Sequence, residues 1–278
     1  MSLFALSIVL FAALLHASWN ALVKAGGDRA LILAGVALSH ALAGVVLILL
    51  SEPPARESWP ALAVSTLVHY GYYALLFQAY RLGDLSQVYP ISRGLAPMLV
   101  ALGALVLIGE TLPPLAWAGL IAVSMGIWLL SLRPRGAEVD RHAVVVAVFL
   151  GLAIATYSVA DGIGVRLAGS PTGYMGWLFL FEAPVVIAIL GPRILRRGSV
   201  DPRTFAIGLL GGILAVTAYG LVLYAKTIAP IGVVSAVRES SVVIAALIGV
   251  MLLGERPWKK RMVAAVIVAA GVVALAAA

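Results

Sequence analysis

Apolar runs long enough to cross a bilayer follow one another along the whole chain, separated by short polar breaks. They fall at 2–23, 30–50, 60–82, 87–108, 114–132, 142–165, 172–191, 203–225, 231–253 and 258–277. A hydrocarbon core takes about 20 apolar residues per helix, so the pattern predicts an all-α integral membrane protein of ten spans. The longest hydrophilic gap, from Arg133 to His142, is too short for a soluble domain. The opening run from Ser2 to Leu15 has the apolarity of a signal peptide. It lacks a basic segment ahead of it and continues through Trp19 and Asn20, so it is expected to be the first span. Pro-Pro at 53–54 and 113–114, with Pro134, Pro171, Pro192, Pro202 and Pro257, sit at span ends, where helices stop or start. Pro90, Pro97, Pro184 and Pro230 lie inside spans or at their margins. They predict kinks whose freed carbonyls neighbouring helices must satisfy.

The pattern also repeats. Gly109-Glu110 closes one apolar run and Gly254-Glu255 closes another, 145 residues later. At that offset Arg81 falls on Lys226 and Arg93 on Arg238 without a gap. An offset of 142 aligns the earlier parts of the two halves, placing Lys24 on Arg166 and His40 on Glu182. Charged residues make up 11% of the chain, so these coincidences point to duplication. The expected organisation is a five-helix repeat over 1–132, a cytoplasmic linker over 133–141 and a second five-helix repeat over 142–278. An odd number of spans per repeat makes the second enter the membrane from the opposite side. The repeats are therefore inverted around a central cavity, as in many transporters.

Composition agrees. Hydrophobic residues are 63% of 278 and the mean hydropathy is +1.08, far from a soluble average. The formal charge of +7 does not imply nucleic acid, because the basic residues lie in short loops between apolar runs. Fourteen of the 19 Lys and Arg follow odd-numbered spans, three follow even-numbered ones, and Arg93 and Arg238 lie within spans. By the positive-inside rule the odd loops face the cytoplasm and both termini lie outside, in a bacterial inner membrane. The chain has no Cys, so disulfides and thiolate metal sites are excluded. Its 28 Gly let helices approach closely; Gly208 and Gly212, at small-xxx-small spacing, are expected to serve packing alone.

Four charges mark the interior. Arg93, Glu182, Arg238 and Glu239 fall near the middle of their spans. Facing lipid, each would cost about 2.5–3.5 kcal/mol, about 10–14 kcal/mol together, so they must face one another or a polar cavity. Arg93 and Arg238 are repeat equivalents near the pseudo-two-fold axis, where two planar guanidiniums can clamp a carboxylate or phosphonate. Glu239 points about 100° away from Arg238 around a helix and need not neutralise it. Glu182 and His40 occupy matched positions, an acid and a base that can carry a coupling proton; a neutral, hydrogen-bonded His40 is the plainer alternative. His69, Tyr73 and Tyr80 share one face of the third span, with Tyr72 beside them, and Thr217, Tyr219 and Tyr224 lie on the eighth. Tyr80 and Tyr224 fit an interfacial belt; Tyr72, Tyr73 and Tyr219 lie deeper and fit a cavity wall that can cover a cation. Trp19 and Asn20 fit a belt or a gate equally. Asp161, one turn from Arg166, reads as a local surface pair.

These residues resemble a known family. Leu253-Gly254-Glu255 ahead of a basic cluster and a last helix ending Gly271-Val-Val-Ala-Leu is similar to the repeat signature of the drug/metabolite transporter superfamily, EamA-type. So are Pro97 ahead of Ile108-Gly109-Glu110, and Trp19-Asn20 with Lys24. The resemblance implies ten helices around a central cavity and transport of a small metabolite, often export of amino acids or related compounds. His16-Ala-Ser-Trp-Asn20 with Tyr89-Pro-Ile-Ser-Arg-Gly94 resembles a branch associated with phosphonate-utilisation genes. Two features depart from relatives in the superfamily. Its four-helix multidrug members couple protons through a Glu in the first helix, where this chain has His16 and no acid. Its nucleotide-sugar carriers are drawn with both termini in the cytosol, the reverse of the charge count here.

No enzyme motif is present: no Walker loop, no His-Glu-x-x-His and no Gly-rich dinucleotide fingerprint. No enzyme activity, cofactor or metal is expected, and a gradient must drive transport. The expected function is a secondary transporter, exporter or exchanger, of a small zwitterionic or anionic metabolite. A proton-coupled multidrug or organic cation exporter is the alternative, favoured by the acids and tyrosines and opposed by the arginines. The expected partners are the substrate and the bilayer, with no nucleic acid, in a monomer or homodimer.

Overall fold

The structure is a computed structural model describing residues 1–25, 28–82, 85–131, 140–195, 200–253 and 258–278. Within these, it describes the backbone alone at 24–25, 80–82, 85–87, 193–194 and 248–253. Lys24, Tyr80 and Arg81, the linker residues 133–139 and Gly254-Glu255 therefore lie outside the described residues or side chains.

Among the described residues, twelve α-helices form ten spans. The first repeat holds α1 (Leu3–Ala25), α2 (Arg29–Leu50), α3 (Trp59–Leu82), α4 (Leu85–Ile108) and α5 (Pro114–Ser131). The second holds α6 (Arg141–Leu167), α7 (Pro171–Leu180) with α8 (Ala183–Leu195), α9 (Pro202–Ile228), α10 (Ile231–Arg238) with α11 (Ser240–Leu253), and α12 (Trp258–Ala277). Among the described residues, eight segments are long and apolar enough to cross a membrane, one of them running across the α7–α8 junction. The others are α3, made polar by Ser65, His69 and its tyrosines, and the split α10–α11 pair. Side-chain caps start the helices: Asp28, Asp140, Ser170 and Asp201 each accept from a backbone N–H of the first turn.

The sequence pattern missed two breaks, in the seventh and ninth spans. Each falls on an interior acid: Glu182 lies between α7 and α8, and Glu239 between α10 and α11. Pro184 accounts for the first, because it has no N–H and crowds the preceding turn. The turn tightens, with Glu182 N–H donating to Phe179 O at 3.1 Å. The Tyr70 hydroxyl donates to Phe181 O at 2.5 Å, so a neighbouring helix satisfies a freed carbonyl. No proline stands at the second break. There Glu239 N–H is shared between Ser235 O and Ala236 O, where Arg238 and Glu239 pair.

Polarity is distributed inside out relative to a soluble protein. Leu3, Leu49, Val106 and Leu195 stand exposed on the outer surface, whereas Arg93, Glu239, Asp161 and Lys226 are buried. That arrangement suits a hydrocarbon solvent. Between repeats, α5 packs on α12, α1 on α9 and α3 on α6. The last two contacts exchange under the repeat symmetry. The symmetry is broken elsewhere: α2 lies tightly along α9, while the equivalent approach of α7 to α3 is slight. The tight crossing needs glycine, since a Cβ on Gly208 would stand 2.6 Å from Ile32 O and one on Gly35 2.8 Å from the Gly208 backbone. Gly208 and Gly212 thus serve packing, as expected.

Candidate functional site

The two repeat-related arginines meet on one carboxylate. Arg93 on α4 reaches Glu239 with Nη1 at 3.1 and 3.3 Å from its two oxygens. Arg238 donates to the same Oε1 through Nη2 at 2.7 Å and Nε at 3.2 Å. All three side chains are at most 5% exposed. The expectation that Glu239 need not neutralise Arg238 is therefore corrected: the tightened turn lets consecutive side chains fold onto each other. Two guanidiniums share one carboxylate, so the trio carries one positive charge in excess.

Arg93 Nη2 also lies 2.7 Å from His16 Nε2 on α1, and its guanidinium stands 5.3 Å over the Tyr89 ring. Arginine is always a donor, so His16 Nε2 must accept and the ring is neutral. Trp19 Nε1 points at the other ring nitrogen from 3.2 Å. A neutral imidazole has one acceptor, and the shorter, charge-assisted Arg93 contact takes it. Trp19 then packs edge-on, at 87° to the ring. Asn20 turns back to its own helix, donating to His16 O at 2.7 Å. The sequence named Trp19 and Asn20 as candidates; His16 is the residue they flank and the one that touches an arginine.

Glu182 and His40 come together, as their matched positions suggested. Glu182 Oε2 lies 2.8 Å from His40 Nδ1 and accepts from the Tyr73 hydroxyl at 2.7 Å. Neither nitrogen of His40 makes an aligned hydrogen bond. Tyr72, the neighbour of Tyr73 on α3, lines a cavity with Tyr89, Ser92 and Arg93. The cavity measures about 20 Å³, room for about one water. Adjacent tyrosines thus connect the arginine end to the acid end.

An aromatic wall joins them. His69 stacks on Tyr157 at 4.2 Å, and Tyr157 stands edge-on to Tyr72 and Tyr219 at 5.9 and 6.3 Å. His69 donates from Nδ1 to Ser65 O at 2.9 Å. Tyr157 was not named from the sequence, although Asp161 stands one helical turn further along the same face of α6.

A further polar cluster overturns another expectation. Asp161 is wholly buried and is not a surface pair with Arg166; its carboxylate accepts from the Tyr174 and Tyr219 hydroxyls. Arg166 instead donates to Lys226 O at 2.7 Å, to Ala229 O at 2.8 Å and to Glu110 Oε2 at 3.0 Å. Lys226, expected in a loop, is also wholly buried and donates to Ser158 O at 2.8 Å. The reason is length: α9 runs to Ile228, three residues beyond the apolar run, and carries Lys226 inward. Gly109, at φ 66°, ends α4 in the left-handed region and sends Glu110 back across the helix end. Glu110 N–H donates to Ala104 O and its carboxylate takes Arg166, giving the Gly-Glu signature a structural role.

Ten spans in two five-helix repeats, with broken helices and paired charges at the centre, define a multi-pass membrane transporter. The EamA-like transporter family model matches residues 3–132 and again 141–277, and the chain belongs to that family, within the drug/metabolite transporter superfamily. A solved crystal structure is similar to this chain with a TM-score of 0.76 and 20% identity, over 99% of this chain and 96% of that one. At that identity the likeness concerns the fold. No curated protein matches the chain.

Proposed function

We propose that this chain is a secondary transporter, exporting or exchanging a small zwitterionic or anionic metabolite such as an amino acid, carboxylate or phosphonate. The observation that carries the reading is the charge imbalance of two buried guanidiniums on one carboxylate. A substrate anion completes that set, and Arg93 already borders the cavity. Glu182 with Tyr73, one residue along from the Tyr72 that lines that cavity, suits the substrate's ammonium group, and Glu182 with His40 is the coupling pair. A cavity the size of one water admits no metabolite, so the repeats must part to load it. The protein sits in a bacterial inner membrane with its termini outside, on the Lys and Arg bias.

Uptake and efflux of a metabolite panel in proteoliposomes, with and without a pH gradient, tests the proposal. Saturable transport of an anion or zwitterion, lost in Arg93→Ala and Arg238→Ala, supports it. The second reading, an organic cation exporter, rests on Glu182 and the tyrosine hydroxyl it accepts. Cation transport that survives both arginine substitutions and fails in Glu182→Gln would establish that reading instead.

A further inference from the structure

Among the described helices α10 is the shortest, eight residues from Ile231 to Arg238, and both of its ends are joints. Two extended residues precede it, Ala229 at φ −148°, ψ 160° and Pro230 at φ −57°, ψ 134°. The tightened turn at Glu239 follows it. Its last residue, Arg238, belongs to the charged trio. Its first, Ile231, is wholly buried against Val100 and Ala104 of α4 and Ala155 and Val159 of α6. Arg93, Val100 and Ala104 stand at i, i+7 and i+11 on one face of α4. Ile231 therefore covers the face that carries Arg93, about 10 Å nearer the helix end. The seat is close: a Cβ on Gly162 would stand 2.5 Å from Ile231 Cδ1, and one on Gly232 2.8 Å from Ala101 Cβ.

Two side chains hold the corner that carries Ile231. Arg166, near the end of α6, donates to Lys226 O and Ala229 O, and Glu110, just past the end of α4, accepts the Gly232 N–H at 3.3 Å. The two then pair with each other at 3.0 Å. This pair differs from the inner one: its side chains are 31% and 12% exposed, against 5% and 1% for Arg93 and Glu239. Water weakens a partly exposed pair, so it can open and close repeatedly, whereas parting the inner pair leaves buried charge uncompensated.

From this geometry we propose that α10 is the gate of the substrate path at the bundle end that carries Ala278, with Ile231 as its plug and Arg166 with Glu110 as its latch. The proposal rests on the reading of the Arg93 cavity as the substrate site. Residues at element ends absorb the backbone rotation of a hinge, and α10 has such an end on each side. When the latch parts, the rod swings on the Glu239 turn and lifts Ile231 from between α4 and α6. Arg238 rides on the same rod, so a substrate that draws Arg238 away from Glu239 also pulls on the plug. Occupancy of the arginines and opening of this end are thereby linked through one rigid helix.

Thiol labelling tests this without a substrate, because the chain has no Cys of its own. Ser92→Cys places one thiol in the wall of the Arg93 cavity, and an impermeant thiol reagent is applied to sealed membrane vesicles of each orientation. From the face that carries Ala278, labelling should be about fivefold faster when Glu110→Gln is added, since a partly exposed ion pair is weak. Ile231→Ala, which removes the plug, should speed it further, and neither variant should speed labelling from the opposite face. An unchanged rate at the Ala278 face in either folded variant overturns the proposal. Equal acceleration at both faces overturns it too, because general loosening has no side. Should Ile231→Ala fail to fold, Glu110→Gln decides alone. Failure here leaves the transport reading untouched, and a protein that gates in this way but moves no metabolite in proteoliposomes fails that reading alone.

Discussion

Replacing Arg93 by Lys keeps the charge and removes the fork, and the structure says what that costs. The guanidinium serves two partners at once, Glu239 through Nη1 and His16 through Nη2. A single ammonium on a flexible stem serves one of them well. The stronger partner is the carboxylate, so Nε2 of the half-buried His16 loses its arginine partner. A fully buried unsatisfied polar group costs about 1–3 kcal/mol; for the half-buried His16, Arg93→Lys should lower stability by about 1 kcal/mol, the low end of that range. Substrate binding loses one charge-assisted hydrogen bond of about 1.5–3 kcal/mol, or about ten- to a hundred-fold in affinity. Equilibrium unfolding of the purified protein in mixed micelles reads the first quantity. Ligand-induced stabilisation across a metabolite panel identifies the substrate and reads the second. Parent-like stability with parent-like affinity, in Arg93→Lys and in Arg238→Lys, would show that the fork is unused and that the anion-clamp argument is wrong.

Other outcomes follow from the same geometry. Glu239→Gln strands two buried guanidiniums, so it should cost about 3–5 kcal/mol, and carboxylate-bearing metabolites should stabilise it more than they do the parent in a thermal-shift assay. Gly208→Ala forces α2 and α9 apart at Ile32 O and should cost about 1–3 kcal/mol, whereas Gly71→Ala, which meets nothing within 4 Å, should be tolerated in the same unfolding assay. Arg166→Ala releases the ends of α6 and α9 from each other and from Glu110, so a Cys placed at Ala229 should react with a thiol reagent faster than in the parent background; equal rates would show that Arg166 tethers nothing. In intact cells an impermeant thiol reagent should label a Cys at 278 and spare one at 259; the reverse pattern would invert the orientation.

The ten spans, the duplication and the identity of the central charges are all legible in the sequence. The reason is that lipid imposes one local rule on every stretch of chain. Apolar length, scarce charge and a fixed repeat offset report directly on burial in a bilayer. That rule also marked Arg93, Glu182, Arg238 and Glu239 as interior, because no other placement is affordable in hydrocarbon. Tertiary structure alone decided their partners. Glu239 joins both arginines because the ninth span tightens at that residue, and hydropathy has no signal for such a turn. Glu182 meets His40 and Tyr73 because α2 and α3 converge on the α7–α8 junction, which belongs to the other repeat. Asp161 and Lys226 were misplaced for a related reason: charge near a span end reads as surface, whereas α9 runs three residues past its apolar run and carries Lys226 inward. Periodicity fixes which residues leave water. Which of them then meet depends on helix crossings set by contacts such as Gly35 on Gly208, and those exist only once the two repeats have packed.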